Sequence, residues 1–165
     1  MTPKKVVTFW HKDDQDKAPY HYTECGLDDV YLKSGYEVDG DAVMVKDVDE
    51  LHKLIGFRLA SEKKVLSGKE LRFLRKQMDL TQGELSKLLQ ISDQSIARWE
   101  KDKFDIPPPA DFLVRLLYLE HIGCLKLDGG VRKVLTELEN RDAPVADKKQ
   151  VFERHKGGWA PRLAA

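Results

Sequence analysis

Two stretches decide the fold: Leu80-Thr81-Gln82-Gly83-Glu84-Leu85 and Ile91-Ser92-Asp93-Gln94-Ser95-Ile96-Ala97-Arg98-Trp99-Glu100-Lys101. Thr81 and Glu84 have the three-residue spacing of a capping box, in which each side chain satisfies a free backbone N–H of the other's turn. Leu85, Leu88 and Leu89 follow as the apolar positions of a short helix. Ser92 is a second N-cap, and the helix it starts runs to about Glu100. Upstream, Ser67-Gly68-Lys69-Glu70 is another capping box, and Leu71, Leu74 and Met78 form an i, i+3, i+7 stripe behind it. Downstream, Ile106-Pro107-Pro108-Pro109 ends the pattern, because proline has no N–H for a helix interior. A further helix is expected from about Ala110 to Ile122, with Phe112, Leu113, Leu116, Leu117 and Leu119 available for a core. Caps this closely spaced point to a helix-turn-helix unit.

A recognition helix needs one face for packing and another for base edges. At about 100° per residue, with Ile96 at zero, Trp99 falls at about 300° on the same face. Gln94, Arg98 and Lys101 fall at about 160°, 200° and 140° on the opposite face. Gln pairs bidentately with adenine and Arg with guanine. Ser95 lies on the flank, within reach of a phosphate or a base. Gln94, Ser95, Arg98 and Lys101 are therefore the expected base contacts. Gln82 and Ser92, at helix starts, and Lys76, Lys87 and Lys103 are the expected phosphate contacts. Trp99 is expected in the core.

Bulk charge gives no hint of such a partner. The 165 residues hold 28 Lys+Arg and 28 Asp+Glu, so the net charge is zero. That neutrality is uneven along the chain. Residues 1–66 hold 10 basic and 13 acidic side chains, 67–123 hold 9 and 9, and 124–165 hold 9 and 6. The DNA case thus rests on a local face. Weak non-specific binding follows, so the protein needs its site and a dimer partner to hold DNA. No apolar run approaches the ~18 residues of a membrane span. Val6-Val7-Thr8-Phe9-Trp10 is too short for a signal peptide. Cys25 and Cys124 are expected as reduced thiols in a cytoplasm. Phosphate-loop, H-E-x-x-H and G-x-S-x-G patterns are missing. The neighbouring carboxylates Asp13-Asp14 and Asp28-Asp29 diverge in direction and have no histidine or metal partner in the pattern. An enzyme is therefore not expected.

The flanking segments make the fold class α+β: a small N-terminal α/β domain over 1–66, an all-α helix-turn-helix domain over 67–123, and a C-terminal segment over 124–165. In the first, Tyr20 to Cys25 reads as a short strand. Val30-Tyr31-Leu32 and Tyr36-Glu37-Val38 read as a hairpin turned at Gly35, and Asp39-Gly40 is a second turn before a strand from Ala42 to Val45. Val48, Leu51, Leu54, Ile55 and Phe57 to Leu59 have helical period. His21 and His52 are expected to be structural or exposed. In the last segment, Asp128-Gly129-Gly130 precedes an amphipathic helix with Val131, Val134, Leu135 and Leu138. From Arg141 onward, Pro144, Lys148-Lys149, Gly157-Gly158 and Pro161 read as a mobile basic tail, with Arg154 and Lys156 solvated.

The two opening stretches resemble the phage-repressor-like (XRE/Cro) helix-turn-helix family, with its T-Q-x-E/D-L second helix, serine-led recognition helix and W/Y-E-K/R-G end. Asp102 stands where that family has glycine. The resemblance covers about residues 67–122 and implies a regulator that binds double-stranded DNA as a homodimer on a palindromic operator. Tyr22-Thr23-Glu24-Cys25-Gly26-Leu27, Val30-Tyr31-Leu32 and Gly35-Tyr36 ahead of it look like the MqsA (YgiT-type) antitoxin and regulator family of bacteria. That likeness implies a toxin partner for the N-terminal domain and autoregulation of an operon. It also implies a zinc site of two C-x-x-C pairs, from which this chain departs. Only Cys25 is present there, and Asp28 stands where a second cysteine would. His11, His21 and Cys25 follow no standard ligand spacing, so neither zinc nor another cofactor is expected.

Overall fold

The computed structural model describes residues 18–125 and 149–162. Four short strands come first: β1 (Tyr20–His21), β2 (Val30–Leu32), β3 (Tyr36–Asp39) and β4 (Ala42–Val45). Among the described residues five helices follow: α1 (Val48–Glu62), α2 (Gly68–Gln77), α3 (Gln82–Leu89), α4 (Asp93–Trp99) and α5 (Pro108–His121). Strands β5 (Gln150–His155) and β6 (Gly158–Pro161) close the chain. The class is α+β, as the sequence implies.

The strand pairing corrects two sequence readings. The expected hairpin of 30–32 with 36–38 does not form. β3 pairs instead with β4, Tyr36 opposite Val45, around the Asp39-Gly40 turn. β2 lies in a separate four-stranded sheet ordered β1-β2-β5-β6. In that sheet β5 runs parallel to β2, with Val30, Tyr31 and Leu32 opposite Gln150, Val151 and Phe152. Residues 150–161 are thus a hairpin seated in the N-terminal sheet, where the sequence reads as a mobile tail. The physical reason is apolar alternation too short to stand out locally. Phe152 and Trp159 are buried, and a strand of this length is stable only beside a partner. The expected helix around 131–138, with Lys148, lies outside the described residues. The expected strand from Tyr20 to Cys25 shortens to two residues, because Gly26 N–H donates to Thr23 O and Gly26 takes a φ of +86°.

Gly35 has a different task from the expected turn. Its φ is +83°, and a Cβ there would lie 2.6 Å from the Trp159 ring. The indole rests against bare backbone and donates from Nε1 to Lys46 O at 2.9 Å. The C-terminal hairpin is fastened to the end of β4 in this way.

α1 packs on β6 through one side and on α2 and α5 through others. Val30, Leu32 and Phe152 of the sheet, Leu51, Ile55 and Leu59 of α1, and Leu71, Leu74, Val114 and Tyr118 of the later helices belong to one buried set. Tyr118 fits because Gly56 has no side chain; a Cβ there would overlap its hydroxyl. On α5 the core face is another correction. Leu113 is exposed, and Phe112, Leu116 and Leu117 are half-buried. The buried positions are Ala110, Asp111, Val114, Arg115, Tyr118 and Leu119. Arg115 and Asp111 pair with each other inside. The Arg115 guanidinium also donates to Leu59 O at 2.8 Å and Lys63 O at 2.6 Å, and Asp111 Oδ2 accepts from Leu66 N at 2.7 Å. The pair ties α5 to the end of α1 by satisfying carbonyls that the helix terminus leaves open.

Candidate nucleic-acid interface

Three caps shape the site. Ser67 Oγ accepts from Glu70 N, and Glu70 returns a contact to Ser67 N at 2.7 Å. Thr81 and Glu84 form the second reciprocal box, with Thr81 N donating to Glu84 Oε2 at 2.8 Å. These contacts hold the Glu84 carboxyl below its ordinary value. Ser92 Oγ accepts from Ser95 N at 3.2 Å to start α4. Between α3 and α4, Gln90 adopts a left-handed φ of +55° and Ile91 N donates to Ser86 O. α3 and α4 pack on each other across that turn. Of the α3 leucines, Leu85 is fully buried, Leu89 is half-buried and Leu88 is exposed.

α4 splits into two faces. Ile96 is fully buried, and Trp99 is only 8% exposed. Gln94, Arg98 and Lys101 are all exposed. Lys101 lies just past α4, in the turn that follows. Ser95 is half-buried on the flank, with its hydroxyl 2.9 Å from Ser92 Oγ, so both serines serve the cap. Lys87 is exposed on α3 and Lys103 in the loop after α4. Lys103 N donates to Arg98 O, which keeps the two residues side by side. Lys76 is also exposed, in the last turn of α2.

Sequence reasoning missed a buried network beneath this face. Arg75 of α2 grips Glu100 with two donors, Nε to Oε1 at 2.5 Å and Nη2 to Oε2 at 3.0 Å. Its Nη1 donates to Leu80 O at 2.7 Å. Gln82 Nε2 donates to Glu100 Oε2 at 2.8 Å, so this expected phosphate contact also locks α3 to the end of α4. A bidentate arginine–carboxylate pair fixes geometry as well as charge. The signal was present in the sequence: Arg75 stands on the Leu71/Leu74/Met78 stripe and Glu100 beside Ile96. A charge on an apolar face needs a buried partner.

The turn after α4 is built equally tightly. Asp102 has a left-handed φ of +51°. Its carboxylate Oδ1 accepts from Gly68 N at 2.7 Å and so caps the start of α2. Gly68 is required there, because a Cβ would collide with the Trp99 carbonyl. Beyond the turn, the exposed Phe104 ring faces the Arg98 guanidinium at 5.8 Å.

Residues 68–121 match the family model described as a helix-turn-helix domain. The match covers α2 to α5 and supports DNA as the partner and a DNA-binding regulator as the class of protein. No curated protein and no solved structure matches the chain.

Between β1 and β2, Cys25 Sγ donates to Tyr22 O at 3.3 Å, and burial pushes its thiol up to about 11. His21 Nε2 lies 2.6 Å from Asp28 O. His11 is outside the described residues. Among the described residues no group of three or more His, Cys, Asp or Glu is arranged to hold a metal ion, and no helix is long and apolar enough to cross a membrane.

Proposed function

We propose that the chain is a sequence-specific transcriptional repressor of the bacterial cytoplasm that works as a homodimer on a palindromic operator. Residues 92–100 enter the major groove. The observation that carries this reading is the division of α4: Ile96 and Trp99 are sealed in the core while Gln94 and Arg98, with Lys101 just past the helix, are exposed. Gln94, Ser95, Arg98 and Lys101 read base edges. Ser92, Lys87, Lys103, Lys76 and the remaining amide capacity of Gln82 hold phosphates. One such helix reads only a few base pairs, so two copies spaced about one helical turn apart are needed for useful affinity. No catalytic step and no cofactor enters this reading.

Selection of bound duplexes from a randomised pool by the full chain tests it. A palindromic consensus is expected. Arg98→Ala then costs about 1–3 kcal/mol and relaxes preference at one position per half-site. An unchanged preference in that variant overturns the assignment.

A second role, toxin neutralisation, draws on the N-terminal half. Val38 and Met44 are 60% and 58% exposed on opposite faces of the β3–β4 hairpin, whose turn carries the exposed acids Asp39 and Asp41. Exposed apolar side chains beside an acidic turn suit a basic protein partner. Co-expression with the product of an adjacent open reading frame should yield a complex and rescue growth. Absence of a complex removes this role without touching DNA binding.

A further inference from the structure

Phe104 has no structural duty that accounts for it. It is 61% exposed and follows a turn whose own anchors are complete without it. Asp102 N donates to Trp99 O at 2.9 Å, Lys103 N to Arg98 O at 3.0 Å, and Ile106 is buried just beyond. A lone exposed aromatic would be unremarkable. This one is placed by that turn beside the Arg98 guanidinium, 5.8 Å from the ring centroid and within cation–π range. The turn that holds it is fixed in its turn by the Asp102 cap on α2.

We propose that Phe104 is a positioning residue for base recognition: its ring is the platform that holds the Arg98 guanidinium ready for a guanine edge. The inference rests on the reading of α4 as a recognition helix. A free arginine side chain samples many rotamers and loses that freedom on binding. An aromatic platform removes part of the cost in advance and orients the planar donor fork. A guanidinium placed over a ring still has its donors at its edge, open to a base. Phe104 therefore acts through Arg98 and adds no base contact of its own.

The test is a double-mutant cycle on the full chain, with the best duplex selected by the wild-type protein from a randomised pool as probe. Phe104→Ala should weaken binding about two- to fivefold, the value of an exposed cation–π contact. It should also flatten base preference at the position that Arg98→Ala flattens. In the Arg98→Ala background the same substitution should change nothing, and Phe104→Trp should retain affinity and preference. Thermal unfolding of Phe104→Ala should match wild type, which separates positioning from stability. Equal weakening in both backgrounds means that Phe104 touches DNA independently and overturns the proposal, as does an unchanged preference in Phe104→Ala. If Arg98→Ala itself leaves base preference intact, the recognition-helix reading falls and takes this proposal with it.

Discussion

His52 sits where three parts of the chain meet. Its Nε2 lies 2.9 Å from the Tyr22 hydroxyl, before β2, and its Nδ1 accepts from Gln77 Nε2 of α2 at 3.2 Å. The Phe73 ring meets it edge-on at 5.6 Å. With Gln77 donating to Nδ1, the neutral ring keeps its proton on Nε2 and donates it to Tyr22. Protonation would put a donor against a donor at Gln77 and a charge among apolar neighbours. Burial accordingly holds the imidazole below its ordinary value of 6.5, against a smaller opposing pull from Asp49. Burial also pushes the Tyr22 hydroxyl up to about 12, so it stays neutral throughout the working range. The sign for stability follows. The unfolded chain takes up the His52 proton first, so the stabilising contribution is complete above about pH 6.5. It is lost as pH falls from there toward the depressed folded value. Urea unfolding of wild type should therefore weaken between neutral pH and pH 5, and His52→Gln should lose that portion of the dependence. An identical pH profile in the variant would show that His52 does not carry it.

Between elements, the contacts that could be read in advance are those closed within one turn. Ser67/Glu70 and Thr81/Glu84 form as their spacing requires, because both halves of a capping box lie within four residues. Burial of Ile96 and Trp99 opposite Gln94 and Arg98 was equally legible, since the helical period alone fixes it. The core face of α5 was not. Asp111 and Arg115 at i, i+4 look like a solvent-side pair, while Leu113 looks like core. The reversal comes from the open carbonyls of Leu59 and Lys63 at the end of α1, which demand a donor some fifty positions away in sequence. The strand error has the same root, because the partner of β2 is β5, across 121 positions at the Gln150–Asp29 contact. The buried pair on α5 makes a sharp prediction. Asp111→Ala leaves Arg115, only 2% exposed, with an uncompensated charge, and should destabilise the protein by about 3–5 kcal/mol. Replacing Asp111 and Arg115 together with apolar residues of similar volume should cost far less. A loss under about 1 kcal/mol for Asp111→Ala, read from urea unfolding, would mean that the pair is effectively hydrated.

At the scale of the molecule, α1 is the shared element. The terminal sheet covers one side of it, with Arg58 lying over the Phe152 ring at 5.8 Å, and α2 and α5 cover others. A division at residue 66, natural from sequence, separates α1 from the helices on which it packs. The hairpin that completes the sheet comes last among the described residues, yet it covers the helix on which α2 and α5 pack. If the buried set behaves as one core, the hairpin and the helices must melt together. Two tryptophans report on the two regions: Trp159 at the hairpin and Trp99 at the end of α4, each 8% exposed. In a Trp10→Phe/Trp99→Phe chain, Trp159 fluorescence reads the hairpin alone while far-ultraviolet dichroism of the same sample reads the helices. The two urea transitions should coincide, as two-state unfolding of a single domain requires. In a Trp10→Phe/Trp159→Phe chain, Trp99 fluorescence should likewise track the dichroism. Loss of Trp159 signal at lower urea than the helices would make the hairpin a separate unit. Coincidence instead means that truncation before residue 149 lowers the melting temperature of the helix-turn-helix domain itself, although the cut lies far along the chain from α4.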